Sequence, residues 1–242
     1  MHDTRAQTEL RLRRFTAERI APAVYRERLP LSVAGWQVPG EPVPFAAAAA
    51  ATYAPLAAGE PWGPPWGTTW LRITGTVPAA WGSATGDLPA DLSVEALVDL
   101  GFTDTAPGFQ AEGLAYTANG RTIKGIAPLN SHVRVAARPG EDVDLWVEAA
   151  ANPRIEGVGV LRYSPTALGD PGTAGTAPLY QLGRIELALL DRTVWELARD
   201  IEILEGLMLQ LPVELPRRAL ILRALERMLD VLNPQDVAGT AA

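Results

Sequence analysis

A mainly β fold, an antiparallel jelly-roll-like β-sandwich with a short N-terminal helix and a C-terminal pair of amphipathic helices, is what this sequence predicts. Three observations predict it. Between Trp70 and Leu190, short apolar runs alternate with a period of two and are separated by Pro-, Gly- and Asn-containing turns. After Asp191 the apolar spacing changes to steps of three and four, the period of a helix. At 242 residues, 48% of them hydrophobic, the chain can hold one sizeable domain with appendages or two small ones.

Thr4 and Gln7 have capping-box spacing ahead of a charged stretch to Ile20, which predicts a short helix stopped by Pro22, with Leu12 and Phe15 its candidates for burial. From Pro22 to Pro65 neither period is clean, and the segment reads as an irregular wrap with one short helix over Ala46 to Ala51. At Trp70 a strand begins, with Leu71, Ile73 and Val77 on one face and Arg72, Thr74 and Thr76 on the other. Leu92, Val94, Ala96, Val98 and Leu100 alternate with Ser93, Glu95, Leu97 and Asp99, the pattern of a strand with one buried face.

Glu112 to Thr117 and Arg121 to Ile126 form a hairpin around Asn119-Gly120, a dipeptide that tolerates positive φ. A second hairpin is expected from Val133 and Val135, through Pro139-Gly140, to Val143, Leu145, Val147 and Ala149, with His132, Arg134, Asp144, Trp146 and Glu148 facing outward. Weaker strands follow near Val158 to Tyr163 and Leu179 to Leu190. Thr193 and Glu196 repeat the capping-box spacing, and Val194, Leu197, Ile201, Leu204, Met208 and Leu211 form a helical stripe. Pro212 and Pro216 break it; Leu222, Leu225, Leu229 and Leu232 line the next helix, which ends at Asn233-Pro234. The expected segments are an N-terminal helix and wrap over 1–66, a sandwich over 67–190 and helices over 191–242.

Composition removes several function classes. The charge of −7 disfavours nucleic acid as a partner. With no cysteine there is no disulfide, thiolate metal site or cysteine nucleophile. The charged start and the lack of a long apolar run predict no membrane association and a cytoplasmic location. His2 and His132 have no ligand-spaced neighbours, so no metal or catalytic residue is assigned. Carboxylates such as Asp99, Asp104, Glu112 and Glu148 read as a solvated sheet face rather than a two-acid site. Trp62, Trp66, Trp70 and Trp146 are the candidate sugar-stacking or interface residues, since an indole face suits both a pyranose ring and an apolar contact.

Trp62, Trp66 and Trp70 with Thr68 resemble the WGP-x-W-x-T-x-W signature at the first sandwich strand of glycoside hydrolase family 38 α-mannosidases. Val98 to Gly101 (VDLG), Glu112 to Tyr116 with Asn119-Gly120, Lys124 to Ile126 (KGI), Val147 to Pro153 (VEAAANP) and the acidic tail VWELARDIEILEGL follow in the same order. The resemblance implies the N-terminal region of such an enzyme, cytosolic or bacterial in type, in which a zinc-dependent barrel later in the chain hydrolyses α-mannosides with retention. That barrel opens with His-x-His-x-Asp, which this sequence lacks. The implied role is therefore a module inactive alone, without a cofactor of its own. Its implied partners are its catalytic domain or other subunits, the stripe from Val194 to Leu211 being half of that interface. A carbohydrate-binding module using exposed tryptophans is the alternative.

Overall fold

The computed structural model describes residues 5–102, 110–156 and 162–241. In chain order it contains α1 (Arg5–Phe15), a wider π-helical turn (Thr16–Ile20), α2 (Ala21–Ala23), β1 (Tyr25–Pro30), β2 (Ser32–Gln37), α3 (Phe45–Ala49), β3 (Ala54–Pro55), β4 (Pro61–Trp62), β5 (Thr68–Thr76) and β6 (Leu92–Val98). There follow β7 (Glu112–Thr117), β8 (Thr122–Ile126), β9 (His132–Arg134), β10 (Asp142–Ala150), β11 (Arg154–Glu156), β12 (Arg162–Ser164), β13 (Tyr180–Gln181), β14 (Ile185–Asp191), α4 (Arg192–Gln210), α5 (Pro216–Val231) and α6 (Val237–Thr240). The fold is mainly β, an antiparallel jelly roll. One sheet has the order β1-β14-β6-β9 and the other β3-β2-β5-β10-β7-β8.

Two compact units divide the chain: Met1–Glu27 with Pro89–Ser93 and Leu189–Ala242, and Arg28–Leu88 with Val94–Ala188. In the second, β5 and β10 form the long centre of the larger sheet, paired from Thr76 opposite Asp142 to Thr68 opposite Ala150. Leu71, Ile73, Leu145 and Val147 bury one face of these strands. Each such aliphatic side chain contributes about 1.5–3 kcal/mol when fully buried.

The period-two signal located these central strands but misjudged three features. β6 is buried on both faces, Ser93 and Glu95 included, so its alternation does not mark a solvated side. The Asn119-Gly120 turn does close the β7–β8 hairpin, with Gly120 at φ +81°. The expected second hairpin is instead a crossover: β9 pairs with β6, whereas β10 pairs with β5 and β7. Pro139-Gly140 thus carries the chain from one sheet to the other, anchored by the Gly140 amide donating to the Val77 carbonyl at 2.7 Å.

The third correction concerns the wrap, which is not irregular throughout. β1 is exposed along almost its whole length and β2 is only half-buried, so neither shows the apolar alternation by which a strand is read from sequence. β2 nevertheless pairs with β5 from Ser32 opposite Thr74 to Gln37 opposite Thr69. The strand expected over Val158 to Tyr163 lies largely outside the described residues.

The helical unit is built from both ends of the chain. α1, α4, α5 and α6 share a core of Leu12, Ile20, Val194, Ile201, Leu225, Leu229, Leu232 and Val237, with Phe15 against it. Arg218 of α5 donates to Glu9 of α1 at 2.9 Å, both side chains being mostly covered, at 12% and 16% exposure. Pro22 does not end the helical path but shapes it. In a regular helix its ring would strike the carbonyl four residues earlier, and the π-helical turn directly before it widens the spiral at that carbonyl. The expected cap at Thr4 lies outside the described residues.

Candidate functional site

The signature segments converge on one another. The indole Nε1–H of Trp62 donates to the Leu100 carbonyl at 2.9 Å, and its ring stacks on Tyr180 with centroids 5.5 Å apart. The Tyr180 hydroxyl donates to the Asn152 carbonyl, and the Asn152 amide donates to the Gln110 carbonyl at 3.2 Å. Gly63 stands at φ +70°, where a Cβ would lie 2.5 Å from that of Ala151. The Trp66 amide donates to the Ala151 carbonyl at 3.0 Å, and the Ala151 amide to the Gly67 carbonyl at 2.9 Å. Asp99 of the VDLG segment accepts from the amides of Gly101 and Phe102 at 2.9 and 3.1 Å, turning the chain after β6. The segments around Trp62, Asp99 and Asn152 form a structural lock whose side-chain hydrogen bonds go to backbone groups.

The four tryptophans do not make one platform. Trp62, Trp70 and Trp146 are buried, at 4%, 0% and 5% exposure, and their expected availability to a sugar ring is corrected accordingly. Trp66 is 41% exposed, with φ +64° and its Nε1–H donating to the Thr166 hydroxyl at 2.9 Å. Trp146 does point from β10 to the same sheet face as Arg72, opposite it in register. What covers it is the segment from Val38 to Tyr53. Trp70 and Trp146 form a second core with Val38 and Ala48, against which Trp36, Val43, Phe45, Tyr53 and Tyr116 pack. The Phe45 ring meets the Trp70 and Trp146 rings edge-on at 5.9 and 5.5 Å, a favourable arrangement for aromatic quadrupoles. Both indole N–H groups of this pair are buried without a hydrogen-bond partner, so packing holds the cover rather than polar anchoring.

Tyr53 and Tyr116 border this aromatic layer, and burial pushes both hydroxyls up to about 12, opposed at Tyr53 by the Arg72 charge and reinforced at Tyr116 by Glu148. The Tyr116 hydroxyl donates to the Glu148 carboxylate at 2.9 Å. Arg72 makes a two-pronged bond to Asp144, at 3.1 and 2.9 Å, and its guanidinium carbon lies 5.3 Å from the Trp146 ring centroid. Beside this layer opens a cleft of about 1100 Å³, lined by β2, the Ala51 to Glu60 segment, Arg72, Thr74 and Leu182 to Glu186. Sequence reasoning did not find it, because its walls come from the exposed strand and wrap that lacked periodicity.

On α4 the predicted stripe is largely occupied by the helical unit itself. Val194, Ile201 and Met208 are buried, Leu197 is packed against the helical core and Leu211 is half-buried. Leu204 remains exposed, beside Ile203 and Leu207, which the sequence did not single out. The expectation of a wholly open interface therefore narrows to the edge of the stripe. The physical reason is α5, whose Leu225 and Leu229 share one buried core with Val194 and Ile201, together with Ile20 of the π-helical turn.

Among the described residues the donor chemistry does not fit a zinc centre. His132 is exposed on β9, and among the described residues no three His, Cys, Asp or Glu side chains gather as a metal site would require. Asp99 and Glu148 are engaged as above, while His2 and Asp104 lie outside the described residues. No described helix is long and apolar enough to cross a membrane.

Among solved structures, the β-glucuronidase of Ruminococcus gnavus is similar at 10% identity, with a TM-score of 0.40, over 69% of this chain and 29% of that one. The same organism's β-glucuronidase in complex with D-glucuronic acid aligns at 12% identity and a TM-score of 0.41, over 69% of this chain and 30% of that one. The chain thus spans less than a third of the length of either. No curated protein matches. A family model described as the α-mannosidase jelly roll domain matches residues 29–188, which contain β2 to β13 and every signature segment but the helical tail, and the chain belongs to that family of α-mannosidase jelly-roll domains.

Proposed function

We propose that this chain is the non-catalytic N-terminal module of an α-mannosidase of the family 38 type, acting by packing against the catalytic domain or another subunit. The observation that carries the reading is the family match over 29–188, in a chain with no His-x-His-x-Asp sequence to open a zinc barrel. The parent reaction is zinc-dependent, retaining hydrolysis of terminal α-mannosides, and the zinc belongs to the catalytic domain. A cytoplasmic location and the absence of nucleic-acid or membrane partners go with this type of enzyme. The packing surface is the exposed apolar edge of α4, where Ile203 is 66% exposed beside Leu204 and Leu207. Such a contiguous edge favours contact with protein.

Assay of the chain on an aryl α-mannoside with added zinc tests the reading, and no turnover is expected. Turnover that depends on zinc and scales with the purified chain overturns it. Sedimentation of the isolated chain tests the packing surface: self-association is expected, and Ile203→Lys with Leu207→Lys relieves it. Association that persists unchanged in the double variant places the contact elsewhere.

A further inference from the structure

We propose that the cleft beside β2 is an accessory binding site for a neutral oligosaccharide. The inference deepens the α-mannosidase reading and rests on it only for the expectation that the sugar is a mannoside. Its first support is charge. Arg72 and Arg184 face the cleft together with Glu60 and Glu186, so the lining cations and carboxylates balance and favour neither an anionic nor a cationic ligand.

The second support is a fixed set of hydrogen-bonding groups against an apolar wall. Arg72 is held by Asp144 through Nε and one Nη and lies over Trp146, yet its side chain is 47% exposed. A guanidinium has five N–H donors in a rigid fork, so this one keeps donors for a ligand without the entropy cost of ordering a loose arginine. Ser32 and Thr74, opposite each other across β2 and β5, add two hydroxyls to the same wall. Tyr53 donates to the Ala48 carbonyl at 3.1 Å, which orients its ring and leaves its oxygen as an acceptor. The rest of the lining includes Leu56, Leu182 and Ile185.

An oligosaccharide matches this combination: hydroxyls for the fixed donors and acceptors, C–H faces for the apolar wall, and no net charge. A cleft of about 1100 Å³ is also slightly larger than ordinary small-molecule sites, which run to about 1,000 Å³, and accommodates several sugar rings. The buried tryptophans offer no such surface, and Trp66 is not part of the lining.

Calorimetric titration of the chain with α-mannotriose, at low and high salt, is the test. Saturable binding is expected, with little change on adding salt because the ligand carries no charge. Ser32→Trp, which fills the cleft from an exposed strand position, should weaken binding by roughly tenfold or more, and Thr74→Val, which removes one hydroxyl, by roughly fivefold. Trp66→Phe should leave it unchanged. Thermal melting of each variant checks that the fold is retained. No saturable binding to any neutral trisaccharide, or binding lost in Trp66→Phe and unaffected by Ser32→Trp and Thr74→Val, overturns the proposal. Binding of a gluco-trisaccharide alone, with the expected sensitivity to Ser32→Trp, supports the cleft and counts against the α-mannosidase assignment of its ligand.

Discussion

Arg26 donates through Nε and Nη2 to the same carboxylate oxygen of Asp191, at 2.7 and 2.6 Å, and Asp191 is fully buried. The other oxygen of Asp191 accepts from the Val194 amide at 3.0 Å and so caps α4. One carboxylate thereby ties the strand that follows the N-terminal helices to the start of the C-terminal ones. The capping-box spacing at Thr193 and Glu196 pointed to the right turn of chain but to the wrong cap, because Asp191 looks in sequence like the last residue of a strand.

Replacing Asp191 with Ala should therefore remove a cap and a charged partner together. A lost cap costs about 0.5–2 kcal/mol, and a hydrogen bond to a charged group about 1.5–3 kcal/mol. Arg26 also reaches Asp91 at 3.4 Å and is 40% exposed, so it is not stranded as a fully buried charge would be. The expected loss is roughly 2–4 kcal/mol, read as an earlier loss of helical circular dichroism in urea. An unchanged midpoint would show that the carboxylate does not couple these elements.

Glycine positions offer a sharper comparison, since two of them share a positive φ and differ in surroundings. Gly101 stands at φ +91°, and a Cβ there would lie 2.2 Å from the Gln181 carbonyl oxygen, a backbone atom that cannot swing away. Gly40 stands at φ +94° with nothing within 4 Å of the added atom. Alanine at Gly40 should cost only the left-handed backbone penalty, about 1–2 kcal/mol. At Gly101 the collision adds about 1–3 kcal/mol of overpacking, and it displaces the Leu100 carbonyl that receives the Trp62 indole. Urea midpoints of the two variants should differ clearly, with Gly101→Ala the less stable. Equal destabilisation would mean that backbone conformation alone governs the VDLG turn.

The legibility of this chain follows from what each residue faces. Leu71, Ile73, Val143, Leu145 and Val147 carry period two because one side of β5 and β10 is a dry core. β1 and β2 carry no such record, because β1 is exposed and β2 packs by small residues such as Gly35, which lies against Leu56 and Leu71. The crossover between β9 and β10 was unreadable for a different reason: a Pro-Gly turn looks alike whether it returns to its own sheet or passes to the next. The alternation places Trp146 outside the sandwich core, yet its cover comes from Phe45, Ala48 and Tyr53, distant in sequence and without periodicity. The cleft was invisible for the same reason.

The aromatic cover also makes a prediction about alkali. Tyr53 and Tyr116 ionise at about 12 in the folded chain rather than at 10.0, chiefly because burial disfavours the phenolate. A tyrosine is neutral below its pKa, so a raised folded value means that the unfolded chain loses the proton first. Below the unfolded value both states hold it and stability is unaffected. As pH rises from about 10 towards about 12, the unfolded state is progressively favoured. Ultraviolet difference absorbance should thus show tyrosines that resist ionisation while the fold persists, then ionise with loss of near-ultraviolet circular dichroism. Tyr53→Phe removes one of these groups and keeps the ring against Trp146, so it should make unfolding less steep in pH over that window. A variant that titrates and unfolds as the parent does would show that the Tyr53 hydroxyl is solvated in the native state and that α3 and its flanking segment do not seal the outer face of the sheet.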